Sequence, residues 1–289
     1  MTFKIVPIGF PSFYLQMTRT SFYLTQTHMF FLERQTLNWK MFLSGLNPTN
    51  SINLQKTKFM LFSNSLHNLP GDLIIDNAIL DKVNTTKFLG LIIDDKLSWK
   101  IHIDNVCKTI SRSIGTINKL KYVFPPATLL MLYSTMILPY LTYGILAWGN
   151  SSKVQLDRLY LLQKKIVRII FNKGFYSHTN PIFYDNKLLK VYDLFYFYLG
   201  QFMYKYNKHE LPKVFTNLFT KNSVIHRYPT RQSNSYHIPL TRTLFANKTF
   251  TFTGTKFWNS LDDSLKVPQS LFSFKQKIKK MLLNKYIPL

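Results

Sequence analysis

Apolar residues recur every three or four positions over most of the chain after residue 95. The segment KVQLDRLYLLQKKIVRIIF (153–171) shows this period most clearly, with basic residues on the opposite side, and it predicts an amphipathic helix. Ser98 is placed to cap a helix over residues 99–123. Similar spacing predicts further helices over residues 29–47, 127–137, 139–148 and 187–207, and over the last basic stretch, FSFKQKIKKMLLNKY.

Short apolar runs bounded by turn residues predict strands between residues 50 and 95. KTKFMLFS (56–63) predicts one strand, and DLIIDNAILDKV (72–83) predicts a hairpin that turns at Asp76–Asn77. TKFLGLIID (86–94) predicts another strand, in which Gly90 marks a bulge or a close backbone approach. The chain is therefore predicted to be α+β, with a small antiparallel β-unit followed by a mainly helical region.

The balance of charge indicates a polyanionic partner. The 289 residues include 37 Lys and Arg but 13 Asp and Glu, which gives a formal net charge of +24. Because self-repulsion of this size works against a compact fold, it points to nucleic acid first and to an anionic membrane surface second. The single cysteine, Cys107, excludes a disulfide framework, and the seven histidines show no paired ligand spacing, so no metal site is expected.

One uncharged segment raises the alternative of a membrane protein. No charged residue lies between Lys121 and Lys153, and a run of about 20 apolar residues could cross a bilayer. Pro139 interrupts the run, and both flanks are basic, so the charge asymmetry that orients a span is missing. Two buried helices, the second starting at Pro139, fit the segment better. A basic membrane-associated protein stays open as an alternative.

Five segments follow one another in a familiar order: NLQKTKFMLFS, KFLGLIIDDKLSWKIHIDNVCKTISRSIGTINKL, LYSTMILPYLTYGILAWGN, LDRLYLLQKKIVRIIFN and HTNPIF. In these motifs and their spacing the chain resembles the C-terminal half of reverse transcriptases (RNA-directed DNA polymerases) from jockey-like non-LTR retrotransposons, from about residue 15 to its end. The resemblance implies a remnant of the polymerase palm over 1–95, with the β-unit at the palm edge. It implies a helical thumb-like region over 96–208 and a C-terminal basic region over 209–289.

The resemblance also implies that the catalytic metal site has been lost. The strand-like segment SFYLTQTH follows the place where the family carries two adjacent aspartates, which here fall at Thr18 and Arg19. In the intact family those carboxylates hold Mg²⁺, whereas a hydroxyl is a weak ligand and a guanidinium repels the ion. No acid occurs in residues 1–32, and the family's third carboxylate lies further upstream than this chain reaches. We expect no cofactor in this chain and a truncated, catalytically inactive fragment; a piece of an active reverse transcriptase lacking its N-terminal part is the alternative.

Candidate residues for binding RNA or DNA through its phosphates lie in two places. The predicted palm edge carries the first group, which consists of Lys56, Lys58 and Lys87. The amphipathic helix carries the second, which consists of Lys164, Lys165 and Arg168. In the family a lysine near the first group lies close to the incoming nucleotide, while the plainer alternatives are a solvated strand edge and a solvated helix face. Four lysines of the last helix suggest the same role more weakly: Lys275, Lys277, Lys279 and Lys280. Asp94 and Asp95 are read as turn and helix-start acids, and the expected location is intracellular, in the nucleus or the cytoplasm.

Overall fold

The computed structural model describes residues 21–24, 29–32, 58–60, 62, 73–75, 78–225, 231–243, 246–267 and 270–287. The chain divides into two compact units, Met1–His102 and Ile103–Leu289. The named strands lie in the first unit, and the second is built mainly from helices, so the α+β class is confirmed. The assignments to palm edge and thumb, and the division at residue 208, stay predictions.

The first unit has one strand pair before the predicted β-unit and another within it. Strand β1 (Ser21–Leu24) pairs antiparallel with β2 (Met29–Leu32), so the predicted helix over 29–47 is wrong at its start, and its remainder lies outside the described residues. Four apolar residues in a row have no period that separates strand from helix, and pairing with a neighbour decides. Strands β4 (Leu73–Ile75) and β5 (Ala78–Lys82) form the predicted hairpin, with Ile75 opposite Ala78.

The β-unit departs from the purely antiparallel prediction in one pairing. Strand β3 (Lys58–Phe59) runs parallel to β5, with Lys58 beside Asp81. Phe59 and the following Met60 are both buried, so successive side chains of this segment meet apolar surroundings.

The segment predicted as a single strand over 86–94 is a tight hairpin. Strand β6 (Thr85–Phe88) pairs antiparallel with β7 (Leu91–Asp94), and the two-residue loop consists of Leu89 and Gly90. Both loop residues have positive φ, 46° and 83°, as a primed turn requires. Gly90 therefore marks a turn rather than a bulge.

Asp94 shapes the backbone that leads into the first long helix. Its carboxylate accepts hydrogen bonds from the backbone N–H groups of Lys96, Ser98 and Trp99 at 2.9–3.1 Å, and from the Ser98 hydroxyl. Ser98 in turn accepts from the backbone N–H of Lys100, where helix α1 (Lys100–Leu120) begins. The reading of Asp94 as a turn and helix-start acid is confirmed, because backbone and hydroxyl donors occupy both of its oxygens.

The uncharged segment after residue 121 forms three short helices. They are α2 (Pro126–Met136), α3 (Leu138–Thr142) and α4 (Ile145–Trp148). The predicted continuous helix over 139–148 is broken at Gly144, whose φ of 61° interrupts the helical path. Within the part of the chain that the structure describes, no helix is both long and apolar enough to cross a membrane.

The second unit packs around one aromatic helix. Helix α7 (Val191–Asn207) is contacted by α3, α4, α5 (Lys153–Ile170), α9 (Phe250–Ser260) and α11 (Leu271–Asn284). Helix α11 packs closely against α7 at Gly200, where an added Cβ would lie 2.3 Å from Ile278 Cδ1. One turn along, Tyr204 stacks on Phe274 with 4.8 Å between the ring centroids, and both residues are buried.

Several shorter helices were not predicted. Helix α6 (Asn180–Asp185) precedes α7, which begins at residue 191 rather than 187. Beyond residue 212, where the sequence showed little period, the structure has α8 (Asn222–Ile225), α9 and α10 (Asp263–Lys266) before the predicted last helix. Buried Trp258 and Thr255 on α9 show that this region contributes to the core.

Candidate nucleic-acid interface

Helix α5 carries the predicted basic face, and its buried side fixes the direction of that face. The buried stripe consists of Leu156, Leu159, Gln163, Ile166, Val167 and Ile170. Lys164 and Arg168 are half-buried and Lys165 is exposed, on the opposite side of the helix. Arg158, at the edge of the basic face, forms an ion pair with Asp104, so its charge is compensated within the protein. The structure thus leaves Lys164, Lys165 and Arg168 facing outwards.

Gln163 is the polar exception in the buried stripe, and it ties α5 to the start of α7. Its Nε2 donates to the Tyr133 hydroxyl at 2.9 Å and to the Leu189 carbonyl at 2.8 Å. Its Oε1 accepts the backbone N–H of Val191, the first residue of α7, at 2.9 Å. The amide therefore satisfies a helix-end donor that the N-cap residue Lys190 does not, and it sets the position of Lys190 beside α5.

Lys164 and Lys190 converge on one tyrosine ring from different elements. Lys164 Nζ lies 4.8 Å from the centroid of Tyr160, and Lys190 Nζ lies 6.0 Å from the same centroid. Lys190 Nζ is also 3.9 Å from the ring centroid of Tyr286 and donates to Asn180 Oδ1 at 2.8 Å. Cation–π contacts restrain both ammonium groups, and both lysines are half-buried. We call these five residues the lysine–tyrosine cluster.

The electrostatics of this cluster favour an external anion. Burial lowers the pKa of Lys190, the nearby Asp193 carboxylate opposes that shift, and the positive charge of Lys164 adds to it. Asp193 is itself engaged, because it accepts a hydrogen bond from the Tyr286 hydroxyl and lies 4.0 Å from Lys285 Nζ. Burial raises the pKa of Asp193 despite these partners. A phosphate near Lys164 and Lys190 would relieve the repulsion between them.

Arg168 organises the loop that follows α5. Its Nε donates to the Ser177 carbonyl at 3.0 Å, and its guanidinium lies 6.0 Å from the ring centroid of Phe175. Lys165 has no such fixed position and projects from the exposed side of the helix. The three predicted residues of α5 therefore differ in their contacts. Lys164 belongs to the lysine–tyrosine cluster, Arg168 contacts the loop after the helix, and Lys165 is free to contact solvent or a ligand.

The first unit holds two of the predicted lysines in described positions. Lys58 is exposed at the start of β3, and Lys87 is exposed on β6. Lys56, Thr18 and Arg19 lie outside the described residues. The lysines of α11 are not all exposed. Lys279 is half-buried, and both its burial and the charge of Lys187 lower its pKa.

Positive charge is concentrated in the helical unit. Residues 103–289 contain 27 Lys and Arg but seven Asp and Glu, a formal charge of +20, whereas residues 1–102 carry +4. Three of the seven acids form ion pairs in the described residues: Asp104, Asp193 and Asp263. Most basic side chains of this unit therefore have no acid that could neutralise them.

Sequence reasoning missed the partners of Lys164. Tyr160 could have been found, because residues four apart on a helix are neighbours. Lys190 and Tyr286 could not, because only tertiary packing brings them to α5 from 26 and 122 positions further along the chain. Among the described residues, no group of three or more His, Cys, Asp or Glu side chains could hold a metal ion.

Comparison with known proteins finds RNA-directed DNA polymerases of mobile elements. The chain is 28% identical over 146 residues to the RNA-directed DNA polymerase from mobile element jockey of Drosophila funebris, covering 50% of this chain and 16% of that protein. It is 26% identical over 164 residues to the jockey polymerase of Drosophila melanogaster, covering 55% and 18%. The probable RNA-directed DNA polymerase from transposon X-element of Drosophila melanogaster is 20% identical over 127 residues, covering 43% and 14%.

The matched segment spans less than a fifth of these relatives. No protein-family model matches the chain, and no solved structure matches it. The resemblance expected from residue 15 to the end is therefore detected over about half of the chain. Over that half, the chain is homologous to the RNA-directed DNA polymerases of the jockey, X-element and BS non-LTR retrotransposons.

Proposed function

We propose that this chain is a reverse transcriptase fragment that binds a template–primer duplex through its phosphates and does not polymerise DNA. The observation that carries the proposal is the convergence of Lys164 and Lys190 on Tyr160, in a unit with a formal charge of +20. The positive charge of Lys164 acts on Lys190 and is opposed only in part by Asp193, so a phosphate bound near the two ammonium groups would relieve the remaining repulsion.

Binding through this surface is sequence-independent. Lys164 and Lys190 contact one phosphate, and Lys165 and Arg168, further round the same helix, contact neighbouring phosphates. Each contact releases condensed counterions, so affinity falls steeply as salt rises. Lys56, Lys58 and Lys87 are proposed to contact the backbone near the primer end, as the resemblance to the family implies.

The test is fluorescence anisotropy of a labelled RNA–DNA duplex across a salt series. The unsubstituted chain should show a slope of log affinity against log salt of about −4 or steeper, which corresponds to several phosphate contacts. The triple variant Lys164→Gln, Lys165→Gln and Arg168→Gln should reduce the steepness by about 2 to 3. A reduction of no more than about 1 in the steepness of the salt slope would show that these residues do not contact the duplex as a group.

Helix α1 offers a control with the same change of charge. Lys108, Arg112 and Lys119 are exposed, and they reproduce the two-lysine, one-arginine composition of the test site. The triple Gln variant at these positions lowers net charge equally, so it should change the slope by less than about 1. Equal effects of the two triple variants would indicate that only total charge matters, and would overturn the assignment to α5.

Inactivity follows from the residues at the expected metal positions. Thr18 and Arg19 stand where the family's two adjacent aspartates would fall, and such a pair supplies the negative charge that holds Mg²⁺. Primer extension with Mg²⁺ and all four deoxynucleotides should give no product, even where the duplex is bound. Because the relatives are much longer polymerases, the second candidate is a segment of an active enzyme. Extension by this chain alone would overturn inactivity, and extension only after adding a separate upstream palm fragment would favour the second candidate.

A further inference from the structure

The loop after α5 displays two aromatic side chains at its tip. Phe175 is 75% exposed and Tyr176 is 91% exposed. Their ring centroids are 5.1 Å apart, and the rings are perpendicular, at 89°. Large aromatic surfaces left in water at adjacent positions are unfavourable unless something covers them, and such patches commonly mark binding sites.

The tip is held in a defined turn. The backbone N–H of Ser177 donates to the Gly174 carbonyl at 3.0 Å, which closes a turn with Phe175 and Tyr176 at its centre. Arg168 Nε fixes the far side of the turn through the Ser177 carbonyl, and the N–H of Lys173 donates to the Arg168 carbonyl at 2.9 Å. The two rings are thus presented by a backbone anchored to α5, which lowers the entropy lost when a ligand binds.

The surroundings of the turn select an anionic ligand that has a flat face. No Asp or Glu occurs in residues 158–184, whereas Lys165, Arg168 and Lys173 all lie close to the turn in the sequence. An unpaired nucleobase offers a flat π face next to a negatively charged phosphate, and aromatic side chains beside basic ones bind this combination. A base inside a duplex has its faces covered by its neighbours, so it cannot stack on a protein ring.

We propose that Phe175 and Tyr176 form a stacking platform for an unpaired base, next to the basic face of α5. The proposal rests on the proposed function and deepens it, because it gives the chain a preference for nucleic acid with a single-stranded segment. The platform supplies affinity that does not depend on salt, while Lys164, Lys165 and Arg168 supply the part that does.

The test compares two labelled probes, a single-stranded oligothymidylate and a blunt duplex of the same length, by fluorescence anisotropy with the full chain. The double variant Phe175→Ala and Tyr176→Ala should bind the single strand roughly fivefold to a hundredfold more weakly, as expected for loss of stacking on one base. Its affinity for the duplex should change by less than about twofold, and its salt slope should match that of the unsubstituted chain.

Two further variants separate stacking from other effects. Tyr176→Phe keeps the ring and should retain affinity for the single strand. Tyr122→Ala removes another tyrosine that is 85% exposed and next to a lysine, and it should leave the affinity for the single strand unchanged. Equal binding of the single strand by the double variant and the unsubstituted chain would overturn the platform, as would an equal loss for both probes. If the unsubstituted chain bound neither probe at low salt, the proposed function itself would fail.

Discussion

Replacement of Gln163 by Leu tests how the basic helix is held against the core. Gln163 is 1% exposed, and its side chain makes three hydrogen bonds, to Tyr133, Leu189 and Val191. Leu has nearly the same volume as Gln, so the change leaves little cavity. It removes the amide that links α5 to α2 and to the first turn of α7.

The magnitude follows from the groups that lose their partner. The Val191 N–H and the Leu189 carbonyl are left without the amide in a buried region, and each such group costs about 1–3 kcal/mol. Tyr133 loses a donor but keeps a hydroxyl that can rotate, and burying Leu instead of an amide returns part of the loss. We expect the free energy of unfolding to fall by about 3 kcal/mol, which corresponds to a drop in Tm of about 6–12 °C for a unit of this size.

Urea unfolding followed by circular dichroism measures this change, with Gln155→Leu as the control on the same helix. Gln155 is half-buried, and its Oε1 accepts from Arg158 Nη1 at 3.0 Å, so its replacement should change stability by no more than about 0.5 kcal/mol. In the Gln163→Leu background, Tyr133→Phe should cost less than it does alone, because the hydroxyl has already lost its partner. A Gln163→Leu variant within about 0.5 kcal/mol of the unsubstituted chain would refute the assigned role of the amide.

Three further predictions concern the turn, the core and alkaline pH. Leu89→Asn should strengthen the β6–β7 hairpin by about 1 kcal/mol, since Asn tolerates positive φ, and Gly90→Ala should weaken it by a similar amount. Hydrogen exchange of the hairpin amides measures both changes, and shifts of the same sign would contradict the turn assignment. Phe274→Ala should cost about 3–5 kcal/mol in urea unfolding, while Phe272→Ala, at an exposed position of the same helix, should be nearly neutral. Burial raises the pKa of Tyr133 from 10.0 to about 12, so the stability that this residue contributes below pH 10 should fall by about 2 kcal/mol as pH rises to 12, and Tyr133→Phe should lose less over that interval.

The helices that the sequence predicted are those with a long apolar period. Helix α5 was predicted within one residue of each end, because its period runs for five turns. The hairpin at Leu89–Gly90 was not predicted, because Leu is unusual at positive φ and the apolar run continues through it. Met29–Leu32 was assigned to the wrong class for a related reason, since four apolar residues fit either period.

The candidate site shows the same limit at the level of side chains. Lys164 and Arg168 could be selected from their positions on one helix face, but the contacts that hold them come from elsewhere. Lys190 reaches Tyr160 because Gln163 binds the first N–H of α7, and neither residue stands out in the sequence. A glutamine in an apolar stripe is easily read as an irregularity, although here it determines where a lysine lies.

The unequal distribution of charge is the strongest argument that the helical unit binds a polyanion. Its core is closed by apolar and aromatic contacts around α7, and that packing needs none of the excess lysines. A formal charge of +20 on this unit instead destabilises the folded state through self-repulsion, which grows as salt is lowered. A bound polyanion removes the repulsion and adds binding free energy to the folded state, so the same residues that weaken the free unit stabilise the complex. This reasoning supports the proposal that the lysines of α5 belong to a binding surface, whether or not any polymerase chemistry accompanies it.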